Sequence, residues 1–245
     1  MATWSKYSFL FRKGGHHFLY SSLSNSFALL DSDTYGTLLK LRDGNQAVEI
    51  DSEVMSTLNQ MQVVNVDEDM VLNQIRFISQ QRKFNHESLH LTINPTLSCN
   101  FDCPYCFEAS HPNSFMTDEV ENNIVSFVEH KDSLKHLSIM WFGGEPLLGF
   151  RRIQSLTKRL IDIVPSYSAS MISKGYLLTP DVVSCLEELK ISMIQITLDG
   201  LADSHDKKRC LKSGAPTFDR IIRNISYCIE NAPYVSIVIR AHIDA

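Results

Sequence analysis

The feature that most constrains the fold is a regular change between two hydrophobic periods in the second part of the chain. From Ser88 onward, short runs typical of buried strands alternate with longer runs that have the spacing of amphipathic helices. The strands are expected at Leu89–Pro95, His136–Phe142, Ser168–Ser173, Ser192–Leu198 and Val235–Ile243. The helices are expected at Thr117–His130, Phe150–Val164, Thr179–Leu189 and Thr217–Asn231. Such alternation predicts an α/β fold whose parallel sheet has right-handed crossovers and is either open or curled into a barrel.

Residues 1–87 follow a different pattern and are predicted to form a separate small α+β domain. Three short alternating segments, separated by the turn residues Gly14-Gly15 and Ser24-Asn25, predict three strands. Helices are then expected from about Asp31 to Asp43, from Ser52 to Gln62 and from Asp67 to Lys83. The polar segment Gln80–Glu87 is the expected linker to the second domain, residues 88–245.

Composition and charge exclude several classes of function. The formal net charge of −5 provides no basic field that would recruit nucleic acid or an anionic membrane. The apolar runs are far shorter than the roughly 18 residues of a membrane-spanning helix, and the N-terminus has no secretory signal. We therefore expect neither nucleic acid nor a membrane among the partners of this chain.

Three of the six cysteines are crowded directly after the first strand of the second domain. Cys99, Cys103 and Cys106 lie on what we call the cysteine loop, residues 99–106, and three thiolates this close can face one metal centre. One candidate is a structural zinc site completed by a histidine such as His90 or His111. The other is an iron–sulfur cluster with one iron left without a protein ligand, an open position of the kind at which substrates react. The residues alone leave both candidates open.

The cysteine spacing, with the aromatic Tyr105 just before the last cysteine, resembles the signature of radical S-adenosylmethionine enzymes. Three further segments match this family in the same order, each at the carboxyl end of a predicted strand. They are Gly143-Gly144-Glu145-Pro146, Ser173-Lys174-Gly175, and Leu198-Asp199-Gly200 with the following His205-Asp206-Lys207-Lys208-Arg209. The resemblance implies a partial, TIM-like (β/α)6 barrel, of which about five strands are present, preceded by a small winged-helix-like domain.

The resemblance also implies the cofactors and their ligands. Cys99, Cys103 and Cys106 would hold a 4Fe–4S cluster, and S-adenosylmethionine would bind its open iron and be cleaved reductively to a 5′-deoxyadenosyl radical. The implied cofactor contacts are Gly143, Gly144 and Glu145 near the methionyl amino group, Phe107 near the adenine, Ser173 near the ribose hydroxyls, and Arg209 near the cofactor carboxylate or the peptide. The two glycines are expected to let the backbone approach a ligand closely. No catalytic residue beyond the cluster is implied.

Each matching segment has a plainer interpretation when it is taken alone. Gly143-Gly144 is typical of a turn, and His205 and Arg209, one helical turn apart, could form a solvated face with Asp206. The remaining cysteines are expected to be apolar core or partly exposed thiols. These are Cys185, Cys210 and Cys228. Only the order of the segments and their placement relative to the cysteine loop favour the functional interpretation.

Two of these segments, Gly143-Gly144-Glu145-Pro146 and Leu198-Asp199-Gly200 with the following His205–Arg209, resemble those of peptide-modifying members of the family, such as SPASM-type peptide maturases and anaerobic sulfatase-maturating enzymes. The resemblance implies hydrogen abstraction from a residue of a ribosomally made precursor peptide or protein, giving a crosslink, an epimerised centre or an oxidised side chain. Residues 1–87 are similar to the module that grips the leader peptide in many maturases, where the leader adds a strand to an exposed sheet edge. A plain cap on the barrel is the alternative for this domain.

The chemistry implies an external low-potential electron donor such as a flavodoxin or ferredoxin, and free thiols that ligate iron predict a cytoplasmic location. The chain ends inside or just after the fifth predicted strand, before a sixth βα unit or a cysteine-rich SPASM domain. We therefore expect a chain truncated at its C-terminus, or one half of a two-piece enzyme. The alternative function is a catalytically incomplete fragment that binds peptide or zinc.

Overall fold

The computed structural model describes residues 2–45, 47–108 and 112–242. The chain divides into two compact units, Met1–Phe84 and Asn85–Ala245. Helical structure continues through Lys83, as predicted for the third helix, and therefore includes the first residues of the linker expected at Gln80–Glu87. The helix persists because residues 80–83 are Gln, Gln, Arg and Lys, all of which favour helices over irregular structure.

The first unit contains a three-stranded antiparallel sheet followed by three helices. The strands are β1 (Ser8–Lys13), β2 (His16–Ser21) and β3 (Ser26–Leu30), and they pair in the order β1-β2-β3. The helices are α1 (Ser32–Arg42), α2 (Ser52–Gln60) and α3 (Glu68–Lys83). Gly14 and Gly15 both have positive φ, of 59° and 80°, which is the conformation that a tight hairpin turn requires. The predicted element order is therefore confirmed.

One face of this sheet packs against the helices and the other is exposed. Leu19 of β2 is buried in a cluster with Leu38 of α1 and Val63, which follows α2. On the opposite face Phe27 and Leu29 of β3 are 60% and 64% exposed. The strict alternation of the strands thus places apolar side chains on both faces.

The second unit contains five parallel strands, β4 to β8, and five α-helices among its described residues. The strands are β4 (Ser88–Ile93), β5 (His136–Trp141), β6 (Ser166–Ser173), β7 (Ile191–Leu198) and β8 (Ser236–Ala241). The helices are α4 (Asp118–Glu129), α5 (Phe150–Ile161), α6 (Pro180–Cys185), α7 (Ala202–Lys208) and α8 (Phe218–Asn231). The strands pair in chain order, β4-β5-β6-β7-β8. This arrangement is that of a partial (β/α) barrel and confirms the predicted fold class.

The strands of the second unit bury their apolar side chains against the helices. Ile139 and Trp141 of β5, Met171 of β6 and Leu156 of α5 are completely buried in one continuous core. Because the strands are parallel, their carboxyl ends lie at one edge of the sheet, and the loops at that edge carry the segments that the sequence singled out. Across the described chain, no helix is both long and apolar enough to cross a membrane.

The structure changes three details of the second unit. The helix expected at Thr179–Leu189 ends at Cys185, because the chain then forms a turn in which Lys190 has a positive φ of 54°. The short helix α7 was not expected as an element. The predicted last strand ran to Ile243, which lies outside the described residues, and β8 ends at Ala241.

Candidate functional site

The cysteine loop follows β4 at the carboxyl edge of the sheet. Cys99 is buried, and Cys103 and Cys106 are partly buried. Burial raises the pKa of Cys99 and of Cys103, and the negative charge of neighbouring thiolates in the loop raises both pKa values further. Lys174 opposes this effect at both thiols, and Arg209 opposes it at Cys103. The three thiols therefore lie close enough to interact electrostatically, beside two cations.

The predicted metal ligands are brought onto one loop but are not arranged as a mononuclear site. Within the described ranges, no three His, Cys, Asp or Glu side chains are grouped closely enough to hold a metal ion. Of the histidines proposed for a zinc site, His90 is exposed on β4 and His111 lies outside the described residues. Soft thiolates are the donors that iron–sulfur clusters require, so the donor chemistry fits the implied cluster. The ligand roles of Cys99, Cys103 and Cys106 stay predictions.

Gly143 and Gly144 follow β5 and pack against the chain that leads into the cysteine loop. A Cβ atom on Gly143 would lie 2.3 Å from the carbonyl oxygen of Thr96, and one on Gly144 would lie 2.4 Å from that of Ser98. Gly143 also has a φ of 119°, a backbone conformation that residues other than glycine rarely adopt. We expected these glycines to admit a ligand, but the close approach that the structure shows is to the protein's own backbone.

Glu145 is completely buried and joins three segments of this edge. Its carboxylate accepts hydrogen bonds from the Ser173 hydroxyl (2.8 Å), the Lys174 backbone N–H (2.7 Å) and the Leu147 backbone N–H (3.1 Å). Its own backbone N–H donates to the carbonyl oxygen of Ser98 (2.9 Å). Burial raises the pKa of Glu145, and the nearby Lys174 and the hydrogen bonds oppose that rise. Glu145 thus fastens the end of β6, through its carboxylate, to the entrance of the cysteine loop, through its backbone N–H.

Two of the implied cofactor contacts are already engaged with each other in this arrangement. The hydroxyl of Ser173 donates to Glu145 and accepts from the backbone N–H of Gly175 (3.0 Å), and Ser173 is only 2% exposed. A ribose hydroxyl that contacted this group would have to donate to its one remaining acceptor lone pair or replace one of those bonds. By contrast, Phe107 is 81% exposed directly after the last cysteine. The adenine and ribose contacts of these residues stay predictions.

The opposite side of the cysteine loop pairs with a segment that we call the 199–212 segment. The backbone N–H of Asp102 donates to the carbonyl oxygen of Cys210 (3.0 Å), and that of Lys212 donates to the carbonyl oxygen of Asn100 (3.0 Å). These two bonds fix the first half of the loop along the chain that follows α7.

The side chain of Tyr105 provides a further link to the 199–212 segment. Its hydroxyl donates to Asp199 Oδ2 and accepts a hydrogen bond from Arg209 Nη1 (2.7 Å). Desolvation, together with the bond to Asp199, raises the pKa of Tyr105 to about 12. Asp199 is buried, and its Oδ1 lies 3.0 Å from His242 Nδ1, an ion-pair distance without hydrogen-bond geometry. Arg209 is 5% exposed and its guanidinium lies over the ring of Phe101.

His205 and Asp206 hold the 199–212 segment in shape. His205 is completely buried, its Nδ1 accepts from the backbone N–H of Asp199 (3.2 Å), and its Nε2 lies 3.2 Å from the Thr217 hydroxyl. Burial lowers the pKa of His205. Asp206 Oδ1 accepts from the backbone N–H groups of Thr217 (2.8 Å) and Phe218 (2.9 Å) and so caps α8. The interpretation of His205 and Arg209 as a solvated face is therefore wrong, because both are buried.

Sequence reasoning gave no role to Asp199 or Lys174 and named Tyr105 only as an aromatic of the motif. A signal for Asp199 was present, since an aspartate at the end of an apolar strand is costly to bury without a partner. The identity of that partner was not predictable, because Tyr105 is 94 residues away in the chain.

Comparison with known proteins decides the family. Residues 93–240, more than half of the chain, match the sequence model of the radical SAM superfamily. The chain belongs to the radical SAM superfamily. Enzymes of this superfamily use a 4Fe–4S cluster and S-adenosylmethionine, so the predicted cofactors are those of the family.

Individual relatives have different activities. The chain is 29% identical over 157 residues to a GTP 3′,8-cyclase of Clostridium perfringens, covering 63% of this chain and 47% of that protein. It is 23% identical over 152 residues to the serine-type anaerobic sulfatase-maturating enzyme of Bacteroides thetaiotaomicron, covering 56% of this chain and 36% of that protein. Among solved structures, native anSMEcpe with bound AdoMet and the Cp18Cys peptide is 28% identical, with a TM-score of 0.52. That match covers 62% of this chain and 42% of the solved one.

These matches support membership of the superfamily and include peptide-modifying relatives. They do not identify a single reaction for this chain. The chain spans about half the length, or less, of the curated relatives it matches. The reaction and the substrate of this protein are therefore proposals.

Proposed function

We propose that this chain cleaves S-adenosylmethionine reductively at a 4Fe–4S cluster held by Cys99, Cys103 and Cys106. The observation that carries the proposal is that three cysteine thiols lie on one loop at the carboxyl edge of a parallel sheet, and that hydrogen bonds with Glu145 and with the 199–212 segment hold this loop from both sides. When bound, the cluster and S-adenosylmethionine supply a 5′-deoxyadenosyl radical that abstracts hydrogen from the substrate. The protein's own part is to hold the loop and to exclude water.

The residues around the loop suggest how the cofactor would be held. Gly143, Gly144 and Glu145 form the wall on one side, and Arg209 supplies a cation on the other. We propose that the backbone of Phe107 contacts the adenine and that Ser173 contacts the ribose. Arg209 would attract the cofactor carboxylate, although one of its guanidinium nitrogens is already engaged with Tyr105.

Anaerobic reconstitution with iron and sulfide tests this proposal directly. The protein should develop the charge-transfer absorbance of a 4Fe–4S cluster and, with dithionite, convert S-adenosylmethionine to 5′-deoxyadenosine. A Cys99/Cys103/Cys106 triple alanine variant should do neither, whereas Cys185→Ala on α6 should behave like the wild type. Cofactor cleavage by the triple variant would contradict the ligand assignment. A colourless protein that binds one zinc would favour the alternative, a binding module.

We propose a residue of a ribosomally made peptide or protein as the substrate. Support comes from the similarity to a sulfatase-maturating enzyme and to a solved structure that contains a bound peptide. The test is to add deuterated precursor peptides encoded beside the gene and to measure deuterium in the 5′-deoxyadenosine formed. The similarity to a GTP 3′,8-cyclase favours a second candidate, a nucleoside triphosphate, and deuterated GTP in the same assay separates the two.

We further propose that the first unit binds the leader part of such a peptide by strand addition at β3. Phe27 and Leu29 leave apolar side chains exposed along this edge strand. In fluorescence anisotropy with the full chain, Leu29→Asp should weaken peptide binding, whereas Phe9→Asp on the opposite edge strand β1 should not. Equal effects of the two variants would contradict strand addition at β3. A flavodoxin or ferredoxin as the electron donor and a cytoplasmic location complete the proposal.

A further inference from the structure

Asp199 is a buried carboxylate without a role in the function proposed above. It is 3% exposed at the carboxyl end of β7, and the longest-range contact of its side chain is with the Tyr105 hydroxyl. Burying a carboxylate is unfavourable unless it is paired and hydrogen-bonded. The position of its partner is informative, because Tyr105 lies between Cys103 and Cys106 on the cysteine loop.

We propose that Asp199 is a positioning residue for the cysteine loop and acts through the hydroxyl group of Tyr105. This inference rests on the proposed function in one respect, namely that the loop binds a cluster.

The two residues that contact the Tyr105 hydroxyl are joined to each other through His205. The backbone N–H of Asp199 donates to Nδ1 of His205, and the backbone N–H of Arg209 donates to the carbonyl oxygen of the same histidine (2.7 Å). His205 is completely buried and is therefore a fixed reference for both. The hydroxyl is thus received by a carboxylate and a guanidinium whose backbones are both hydrogen-bonded to His205, and both bonds are charge-assisted.

The link acts on a different part of the loop from the backbone pairing. The hydrogen bonds between backbone groups join Asn100 and Asp102 to the chain after α7. The Tyr105 side chain ties down the second half of the loop, which carries Cys103 and Cys106. Tyr105 is 44% exposed, and its ring meets the ring of His242 edge-on at a centroid distance of 5.4 Å. The two hydroxyl contacts are the hydrogen bonds that hold the side chain against the 199–212 segment. Loss of the contact would leave the two later thiols free to adopt more orientations.

The experiment compares four variants of the full chain after anaerobic cluster reconstitution. They are Tyr105→Phe, Asp199→Asn, the double variant, and the control Asp203→Asn on the exposed side of α7. The measurements are the rate of iron loss to a chelator and the electron paramagnetic resonance line shape of the reduced cluster. Groups that orient metal ligands typically change metal affinity by about 10- to 100-fold.

We expect Tyr105→Phe and Asp199→Asn each to lose iron about 10- to 100-fold faster than the wild type, with the same altered line shape. The double variant should lose iron no faster than the more affected single variant, because the two residues act through one contact. Asp203→Asn should match the wild type. Multiplied effects in the double variant, or an effect of Asp199→Asn without one of Tyr105→Phe, would overturn the inference.

Two controls keep the result decisive. Circular dichroism of the metal-free variants shows whether Asp199→Asn simply fails to fold, and in that case Tyr105→Phe alone decides, with wild-type iron retention counting against the inference. A wild type that binds no cluster would refute the proposed function itself. A wild type that binds a cluster, with both variants indistinguishable from it, would refute only the role of Asp199.

Discussion

Within the described residues, the first unit buries only serines among its polar side chains, whereas the second unit buries carboxylates, a histidine and an arginine as well. The acidic and basic side chains buried among the described residues of the second unit are those of Glu121, Glu145, Asp199, His205 and Arg209. Four of the five lie at the carboxyl edge of the parallel sheet around the cysteine loop. Because buried charges are unfavourable unless paired, their concentration at this edge marks where the chain maintains a specific polar arrangement.

The comparison teaches that the two units are stabilised differently. The first unit relies on an apolar cluster and side-chain caps, with Asp31, Asp51 and Asp67 each accepting backbone hydrogen bonds at a helix start. The second unit adds cross-links between distant segments through buried polar side chains. Substitutions should therefore have large effects at the carboxyl edge of the second unit and small effects on the exposed face of the first.

The largest effect is expected for Gly144→Ala. The new Cβ would lie 2.4 Å and 2.6 Å from the carbonyl oxygens of Ser98 and Leu97, which are backbone atoms and cannot rotate away. The free energy of unfolding should fall by about 3 kcal/mol. Urea denaturation followed by far-ultraviolet circular dichroism, to which the helices of both units contribute, measures this change. The control is Gly36→Ala in α1, which has open space around the site and should not lower the free energy of unfolding. An unchanged free energy of unfolding for Gly144→Ala would show that the loop entrance is not tightly packed.

A smaller effect is expected for Glu145→Gln, which replaces one carboxylate oxygen by an NH2 group. An NH2 group cannot accept a hydrogen bond, so the bond from either the Lys174 N–H or the Leu147 N–H is lost. The cost should be about 2 kcal/mol. Because the pKa of Glu145 is raised, the folded state binds the proton of this carboxyl more tightly than the unfolded state does. The stabilisation that results is complete below the pKa of the unfolded state and is lost as pH rises through the pKa of the folded state. The stability difference between wild type and variant should shrink with rising pH across that window, and a difference that grows instead would refute the raised pKa.

Glu121→Gln on α4 should cost about 1 kcal/mol, because its partners are partly exposed arginines that water can solvate again. Glu121 accepts from Ser155 (2.6 Å), Arg152 (3.1 Å) and Arg159 (3.2 Å). Burial acts to raise the pKa of Glu121, but these hydrogen bonds and the arginine charges together lower it. Its contribution is therefore present above the unfolded pKa and lost as pH falls through the folded pKa. Urea denaturation at a series of pH values from 3 upward measures how the stability lost by each variant depends on pH. Opposite trends for Glu121→Gln and Glu145→Gln would confirm that the two buried carboxylates are held in opposite ways.

The smallest effect is expected for Phe27→Ser on the exposed face of the first unit. Phe27 is 60% exposed, and its ring packs against the rings of Phe11 and Phe18 on the same face. The change in the free energy of unfolding should be below about 0.5 kcal/mol. Thermal unfolding of the full chain measures this change, and a cost as large as that of Glu145→Gln would show that the face is covered and would break the comparison between the units.

Much of the architecture was predictable from the sequence because it depends on local periodicity. The alternation of apolar residues in β4 to β8, and the helical spacing between them, predicted the parallel sheet to within a few residues at most boundaries. The cysteine spacing and the order of the motifs likewise predicted the family, since those patterns lie within short stretches of chain. Boundaries set by turns, such as the end of α6 at Cys185, were wrong because a left-handed Lys190 leaves no periodic signal.

The sequence by itself determined the order of the strands, the parallel sheet and the position of three thiols after its first strand. Only the tertiary structure decided what the motif residues contact. It placed the Gly143-Gly144 pair against the backbone of the loop entrance, Ser173 against Glu145, and the Tyr105 hydroxyl between Asp199 and Arg209. The physical reason is distance along the chain: periodicity reports on neighbours a few residues apart, whereas these partners are 28 to 104 residues apart and meet only when parallel strands bring their carboxyl ends to one edge.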